Sequence, residues 1–293
     1  MNWQSIVEQI EKVIGSAFKL INARPLAGGD INSAYHLQGK DQSYFVKLNH
    51  ADMLPMFAAE AEGLAEIAAT RTVRVPVPIV YGITGVHAFI VLEYIEFGMS
   101  GKGSDRLLGQ QLVLLHQLPQ PYFGWHRDNM IGSTPQPNIR NDDWIEFWRS
   151  QRLQHQLNLA AAKGYQGRLQ TTGEHLCDKL GDLFANHRPH PSLLHGDLWG
   201  GNAAADKHGN PILFDPACYY GDKEADLAMT ELFGGFSPDF YAAYRDICPI
   251  DPGYTTRKKL YNLYHILNHL NLFGSGYLRQ AETMISSLLS EAG

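Results

Sequence analysis

HGDLWGGN, residues 195–202, is the stretch that decides the fold of this chain, together with Asp215 further along. Asp197 and Asn202 are close enough for one tight loop to turn both side chains into a cleft. Asp215 ends the apolar strand candidate 212–214. Phosphoryl transfer needs a base beside the acceptor hydroxyl and oxygen ligands for a divalent metal, because it depends on positioning and charge stabilisation. We therefore predict Asp197 as the base, with Asn202 and Asp215 as ligands of Mg²⁺.

Each of these residues also has an alternative when it is taken singly. Asp197 is typical of a helix or turn cap, Asn202 of a turn, and Asp215 of a strand end before proline. A hairpin signal at 207–210 falls between Asn202 and Asp215. This favours the interpretation in which the three residues form one catalytic site. We expect His195 to pack beneath the loop as a structural residue.

Composition limits the partners of the protein. The 293 residues are 44% hydrophobic and carry a net charge of −6, without a basic run, so we expect neither nucleic acid nor an anionic membrane as a partner. Three scattered cysteines favour free thiols in a reducing compartment, and we expect a cytoplasmic protein. No apolar run reaches the roughly 18 residues of a membrane span. Nothing in the sequence specifies an oligomeric state.

The chain changes character near residue 97. Before it, apolar spacing predicts an opening helix at 3–18, a hairpin of strands at 33–37 and 44–48, and a helix at 54–69. The segment 75–80 is predicted as a loop or edge strand and 89–95 as a buried strand. We predict an α+β fold with a β-rich N-terminal lobe at 1–97 and a larger, mainly helical C-terminal lobe at 98–293.

Helical patterns dominate the second lobe. The first begins with the leucines at 108, 112 and 115, and only the strands flanking the 207–210 turn are expected there. The further helix candidates are 144–163, 173–187, 223–233, 238–247, 256–272 and 277–289.

The small lobe carries a candidate nucleotide site. Gly28, Gly29 and Asn32 lie between strand candidates, where backbone NH groups can approach phosphates, although a plain hairpin turn is the commoner explanation of the glycines. Lys47 sits inside an apolar strand, where its amine either reaches solvent or meets an anion. On the following helix, Glu60 lies nearer the buried stripe than its acidic neighbours, which makes it the ion-pair candidate for Lys47.

The end of the 89–95 strand is a second candidate for nucleotide contact. Glu93, Tyr94 and Ile95 precede the lobe boundary, where free main-chain NH and C=O groups can pair with the edge of adenine. A strand that merely ends in a linker explains them equally.

In chain order, these features resemble the protein-kinase-like superfamily, and more closely the fructosamine kinase (ketosamine 3-kinase) family, which is related to aminoglycoside phosphotransferases. The resemblance spans essentially the whole chain. The motifs that carry it are HGDLWGGN at 195–202, DPACYYG at 215–221, EADLAMTELFGGF at 224–236, NHLNLFGSGY at 268–277, GWHRDNMIGSTPQPN at 124–138 and WIEFWRSQRLQHQL at 144–157.

The resemblance implies a bilobal, ATP-dependent kinase with Mg²⁺ as cofactor. It implies that Lys47 with Glu60 holds the ATP phosphates and that 93–95 form the hinge. The family phosphorylates the sugar 3-hydroxyl of ketosamines. The phosphorylated product is unstable, and its breakdown frees the glycated amine. Two residues depart from the family pattern: Asp30 stands where a small residue is common, and Asp222 stands where a histidine is common.

Several residues favour a small acceptor over a protein hydroxyl. Trp199 replaces the lysine usual in protein serine and threonine kinases, and little chain separates Asp215 from the next helix. Trp199 with Tyr219 or Tyr220 can stack on a sugar, although core packing explains these tyrosines equally well.

The polar loop that contains Trp125 and Asp128 is a candidate substrate rim, or a surface loop without a role. A zinc site at His265 and His269 lacks a third ligand and is not expected.

Three functions are therefore compatible with the sequence. The first is a kinase of free or protein-bound ketosamines such as fructosamine or ribulosamine. The second is a kinase of another small hydroxyl compound, an aminoglycoside or amino alcohol, on the same fold. The third is a nucleotide-binding pseudokinase, favoured by Asp30 and opposed by the complete set of chemical residues.

Overall fold

The computed structural model describes residues 2–27 and 31–292. These described residues form two compact units: those up to residue 104 together with 203–216, and 105–202 together with those from residue 217 onward. The division at residues 97 and 98 stays a prediction about domains. By compactness, the chain divides near Ser104, and the segment 203–216 returns to the first unit.

The first unit contains a five-stranded antiparallel sheet in the order β1-β2-β3-β5-β4. The predicted hairpin is confirmed as β2 and β3, and the segment predicted as a loop or edge strand leads into the edge strand β4. The elements are α1 (Trp3–Ile14), β1 (Leu20–Leu26), β2 (Ser33–Gly39), β3 (Ser43–His50), α2 (Leu54–Thr70), β4 (Pro78–Thr84) and β5 (His87–Glu93).

The opening helix covers one face of this sheet. Ile6, Val7 and Ile10 recur at helical spacing and are buried against strand residues such as Val46 and Val91. Full burial of one such side chain stabilises the fold by about 1.5–3 kcal/mol. The helix ends at Ile14 because Gly15 adopts a left-handed conformation that caps it. Because strand side chains alternate, Lys47 points away from the α1 face.

A short hairpin completes the first unit. Strands β9 (Ala203–Ala205) and β10 (Pro211–Leu213) pair antiparallel, with Ala203 opposite Leu213. The turn between them is the one predicted at 207–210. The main chain of Arg74 joins this hairpin to the unit through a bridge to Ile212.

The second unit is mostly helical, as predicted. A five-residue π-helical segment at 149–153 interrupts the predicted helix 144–163, and the helix predicted at 173–187 begins earlier. The helices are α3 (Lys102–His116), α4 (Trp144–Trp148), α5 (Gln154–Ala162), α6 (Arg168–Leu183), α7 (Glu224–Leu232), α8 (Pro238–Ile247), α9 (Tyr254–Phe273) and α10 (Leu278–Glu291). The first residues of α3 belong to the first unit.

The expectation that the later part of the chain has no strands besides the 207–210 hairpin is wrong. Two further antiparallel pairs are present, β6 (Asn129–Ile131) with β7 (Thr134–Gln136), and β8 (Ser192–Leu194) with β11 (Tyr219–Gly221). Strand β8 leads directly into the 195–202 loop, so this short ladder fixes where the loop begins. Among the described residues, no helix has the length and apolar character needed to cross a membrane.

Candidate active site

The predicted ion pair of the small lobe is present. Lys47 Nζ lies 2.6 Å from Glu60 Oε1 and also 2.6 Å from Asp215 Oδ1. Lys47 and Glu60 are buried, whereas the side chain of Asp215 is 44% exposed. One ammonium group therefore joins β3, α2 and the end of the β9–β10 hairpin within the first unit.

Electrostatics keep this lysine charged. Burial alone would lower the pKa of Lys47, but the carboxylates of Asp215 and Glu60 outweigh it and raise the pKa above its ordinary value. The same burial raises the pKa of Glu60, which Lys47 partly offsets. Lys47 is thus a fixed, buried cation, and Asp215 is the more exposed of its two carboxylate partners.

The backbone at Asp215 is unusual. Its φ of 57° lies in the left-handed region, which few residues other than glycine, asparagine and aspartate adopt. The preceding ring, Phe214, stacks on Phe97 at 5.4 Å between centroids, and Pro216 follows. Such local strain persists only where the surroundings hold it, and it is common at functional sites.

The 195–202 loop belongs to the second unit. Asn202 Nδ2 donates to the main-chain oxygen of Asp197 at 2.9 Å and to its Oδ2 at 3.1 Å. His195 is fully buried, as expected, and its Nδ1 accepts from the Asp197 NH at 3.3 Å. Gly196 has a φ of 82°, and a Cβ there would lie 2.1 Å from the Ala217 oxygen, so only glycine fits.

A buried carboxylate on α7 holds this loop. Asp226 accepts from the NH groups of His195 and Gly196 at 2.7 and 2.8 Å and contacts His116 Nε2 at 3.2 Å. Burial would raise the pKa of Asp226, but His116 and the other donors outweigh it and lower the pKa. Asp226 therefore holds the loop by accepting backbone hydrogen bonds. The contribution of His116 was not foreseen, because nothing in its local sequence signals it.

The side chains predicted for magnesium have suitable chemistry. Mg²⁺ prefers hard oxygen ligands. The amide nitrogen of Asn202 is engaged by Asp197, which leaves Oδ1 as the ligand end of that side chain. Asp215 binds Lys47 through Oδ1 and has a second carboxylate oxygen, Oδ2. Both residues therefore fit the metal in donor type.

The candidate hinge borders a polar cavity within the first unit. This cavity, of about 570 Å³, is lined by Tyr94 and Ile95 among others. The NH of Glu93 donates to the Val77 oxygen at 2.8 Å, and its carboxylate binds Arg74. Glu93 is therefore occupied by the fold, while the next two residues face the cavity.

The glycine-rich turn is described only in part. Gly28 and Gly29, with Asp30, lie outside the described residues. Asn32 lies just before β2, and its Oδ1 accepts from Asn49 Nδ2 at 2.7 Å.

The aromatic substrate candidates differ in exposure. Trp199 is 38% exposed and packs edge-on against Phe233. Tyr220 is half-buried, whereas Tyr219 and Trp125 are buried. The burial of these last two favours a packing role.

The polar rim is held by a network that sequence reasoning did not find. Asp128 is exposed and accepts from the Asn138 NH at 2.8 Å. The guanidinium of Arg152, fully buried in the π-helical segment, donates to Asn138 Oδ1 at 2.7 Å and lies 4.2 Å from the Tyr219 ring centre. The only sequence signal was an arginine inside an aromatic helix, a pattern that also fits a surface residue.

Comparisons with known proteins identify relatives across nearly the whole length. The sequence model of the fructosamine kinase family matches residues 2–291. A probable ketoamine kinase of Synechocystis is 48% identical over 288 residues, covering 98% of this chain and 97% of that protein. A chloroplastic protein-ribulosamine 3-kinase of Arabidopsis thaliana is 43% identical, covering 94% of this chain and 85% of that protein.

The fold has a close counterpart among solved structures. A crystal structure from Haemophilus somnus, whose name assigns it provisionally to the fructosamine-3-kinases, has a TM-score of 0.90 and 29% identity. The match covers 98% of this chain and 97% of that one.

Proposed function

The chain belongs to the fructosamine kinase family, and we propose that it is an ATP-dependent kinase of the 3-hydroxyl group of ketosamines. The observation that carries the proposal is Lys47, a buried cation held at 2.6 Å from both Glu60 and Asp215. The naming of the relatives as ketoamine and ribulosamine kinases supports the acceptor.

The proposed chemistry is direct transfer of the γ-phosphoryl group. The 3-hydroxyl oxygen of the sugar forms a bond to the γ-phosphorus while the bond to the bridging oxygen breaks and ADP leaves. Asp197 accepts the hydroxyl proton, and its orientation is held by Asn202. Lys47 binds the phosphates and offsets charge that develops on them.

Magnesium is proposed as the metal cofactor, held by Asn202 and Asp215. When bound, it supplies positive charge to the phosphate oxygens. The β9–β10 hairpin supports this assignment. Ala203 pairs with Leu213 at the open end of the hairpin. Asn202, which precedes Ala203, and Asp215, which follows Leu213 by two residues, therefore start from that same end.

The substrate face is proposed from exposure. Trp199 and Tyr220 offer accessible ring surface for an apolar sugar face, and Asp128 offers a carboxylate for polar groups. Tyr219 and Trp125, which are buried, are assigned to packing rather than to substrate contact. The nucleotide is assigned to Gly28, Gly29, Asn32, Lys47, Glu60 and the segment 93–95. The odd number of cysteines supports a cytoplasmic location.

The test is an acceptor panel with ATP and Mg²⁺. Fructosyl and ribulosyl derivatives of lysine, free and in a glycated peptide, are compared with an aminoglycoside and choline, and phosphorylated product is followed by ³¹P NMR. We expect turnover on the ketosamines at C3. Faster turnover on the other alcohols would favour a different small-molecule kinase, and nucleotide binding without any turnover would favour a pseudokinase.

The base is tested by Asp197→Asn. We expect kcat to fall by about a hundredfold to ten-thousandfold, the usual worth of a positioned base, with ATP still bound. Asp142→Asn is the matched control, because Asp142 has an 85% exposed side chain in the same unit. Equal kcat in both variants would remove Asp197 from its role.

A further inference from the structure

The polar cavity of the first unit lies on the same sheet face as Lys47. Lys47 pairs with Ala34 across β2 and β3, and Phe45 pairs with His36. Directly opposed residues share a face, and so do residues two apart on one strand. His36 therefore lies on the same face as Lys47, two residues further along the paired strands, a distance of ~7 Å.

Three parts of the first unit line the cavity. His36 and Arg24 contribute from neighbouring strands, where they pair in register. The segment 94–96 after β5 forms a second wall, and the turn at 206–208 forms the third. A volume of about 570 Å³ lies within the range of small-molecule sites.

His36 is the least satisfied polar group of this cavity. Its side chain is nearly inaccessible to solvent, and its ring stacks on Tyr94 at 3.8 Å between centroids. Nδ1 accepts from Arg24 Nε at 3.0 Å, which places the proton of the neutral ring on Nε2. Among the described residues, Nε2 has no hydrogen-bond partner.

A buried donor without an acceptor costs free energy, so a ligand atom that accepts from Nε2 would recover it. Burial, with Arg24 adding to it, lowers the pKa of His36 and keeps the ring neutral near pH 7. A neutral donor suits an uncharged acceptor.

Two of the three Arg and Lys residues that line the cavity are paired with carboxylates. Arg74 is neutralised by Glu93 and Asp206, with nitrogen–oxygen distances of 2.7 and 2.9 Å. Lys207 lies 3.6 Å from Glu96. Arg24, the third, donates to the neutral ring of His36. The polar lining therefore suits the ring and hydroxyl acceptors of a nucleoside.

We propose that His36 is a nucleotide-recognition residue, whose Nε2–H donates to an acceptor atom of the base or ribose of ATP in this cavity. This inference rests on the proposed function, in which Lys47 holds the phosphates of the same nucleotide. Tyr94 supports the imidazole by stacking, and its half-buried ring has to move for the ligand to reach Nε2.

The experiment measures nucleotide and phosphate binding separately. Titration calorimetry with Mg-ADP and with magnesium tripolyphosphate is carried out on the wild-type chain, His36→Phe and His36→Gln. Phe keeps a ring for Tyr94 but removes the donor, whereas Gln keeps an NH donor and an acceptor for Arg24. We expect the Kd for Mg-ADP to rise about tenfold in His36→Phe, the usual worth of one buried hydrogen bond.

In the same titrations, His36→Gln should stay within about threefold of wild type, a difference below the worth of one hydrogen bond. Tripolyphosphate should bind all three proteins equally. Equal Mg-ADP affinity in wild type and His36→Phe would overturn the role of His36 while leaving the kinase intact. An equal loss for tripolyphosphate would also overturn it, since the effect would then not concern the nucleoside.

Failure of the proposed function has a different result. A wild-type chain that binds no Mg-ADP would overturn both the kinase assignment and this inference. Thermal unfolding checks that each variant is folded. If His36→Phe does not fold, His36→Asn decides, because its shorter amide keeps the acceptor for Arg24 but does not reach the position of Nε2.

Discussion

At the scale of single residues, Asp215 combines an uncommon backbone with a required charge. Its left-handed φ of 57° is tolerated by aspartate and asparagine but disfavoured for alanine. Its carboxylate binds Lys47 and is proposed to bind magnesium. Backbone and charge can therefore be separated by substitution.

We predict that Asp215→Asn keeps the fold and loses the reaction. Asparagine accepts the same φ, and the side chain is 44% exposed, so the free energy of unfolding should change by no more than about 1 kcal/mol. Without the carboxylate, kcat should fall at least about a hundredfold, the usual loss when one preorganised charge contact is removed. The measurements are kcat at saturating Mg-ATP and thermal unfolding.

Asp215→Ala is the comparison, and it should lose a further ~1 kcal/mol of stability because alanine is strained at this φ. Near-normal turnover in the asparagine variant would contradict the metal assignment.

Single-residue contacts were predictable where the side chain lies on a regular helix or strand. Glu60 was found from its angle on α2, and its contact with Lys47 confirms that geometry. The φ of Asp215 was not predictable, because tertiary contacts and not a local pattern hold it. The unpartnered Nε2 of His36 could have been sought from the pairing of β2 with β3, since that register places His36 on the same sheet face as Lys47.

At the scale of elements, the first turn of α7 determines the shape of the 195–202 loop. Asp226 is buried there and receives two main-chain NH groups of the loop, while His116 of α3 contacts the same carboxylate. The loop is thus held by a helix rather than by its own contacts alone.

We predict that Asp226→Asn disturbs this loop. An amide offers one acceptor oxygen and turns NH donors toward the NH groups that the carboxylate accepted. The free energy of unfolding should fall by about 2 kcal/mol, the cost of unsatisfied buried polar groups. We also expect kcat to fall by a larger factor than the Kd for ATP rises, because Lys47 and the polar cavity lie in the first unit and Asp226 lies in the second. Chemical denaturation and steady-state kinetics measure both.

Asp178→Asn, on the exposed face of α6, is the control and should leave both quantities unchanged. An Asp226→Asn protein with normal stability and normal kcat would show that the loop does not depend on this helix.

Element prediction depended on how much pattern each element contains. Helix α8 was predicted at its observed bounds, Pro238–Ile247, because a proline at its first position marks the start. Strands β6, β7, β8 and β11 have three residues each, too few to show an alternating pattern. Helix α6 begins at Arg168, after Gly167 with a φ of 71°, a start that no capping side chain announces.

At the scale of the whole molecule, stability depends on a buried charge network in the second unit. Asp222 accepts from the Tyr261 hydroxyl at 2.6 Å and contacts His187 Nε2 at 2.7 Å. Glu224 binds Arg257 at 2.7 Å close by. Burial would lower the pKa of His187, but Asp222 and Glu224 outweigh it and raise the pKa above its ordinary value.

We predict a pH-dependent stability that His187 supplies. A histidine whose pKa is raised in the folded protein stabilises it fully below the unfolded pKa of about 6.5. That contribution is lost as the pH rises through the higher folded pKa. The stability difference between wild type and His187→Gln should therefore be about 1 kcal/mol at low pH, the usual net worth of such a hydrogen bond, and should shrink as the pH rises.

Denaturant unfolding of both proteins between pH 6 and 8.5 measures that difference. The exposed His175 provides the control, since His175→Gln should parallel wild type throughout. A difference that stays constant or grows with pH would contradict the assigned sign.

The overall architecture was predictable, since strand patterns are concentrated before residue 97 and helical patterns dominate after it. The return of residues 203–216 to the first unit was not, because chain order gives no signal for a segment that packs with residues far before it. That segment carries Asp215, so the composition of the candidate site depended on the feature that was hardest to foresee.

The bond between Lys47 and Asp215 implies competition inside the resting protein. A negatively charged ligand that approaches this ammonium must displace an internal carboxylate, whereas a ligand that arrives with its own divalent cation gives that carboxylate a new partner. The exchange is then nearly balanced in charge. Under the proposed function, free ATP would therefore bind less favourably than Mg-ATP, and the protein would select the metal-bound donor before any acceptor has bound.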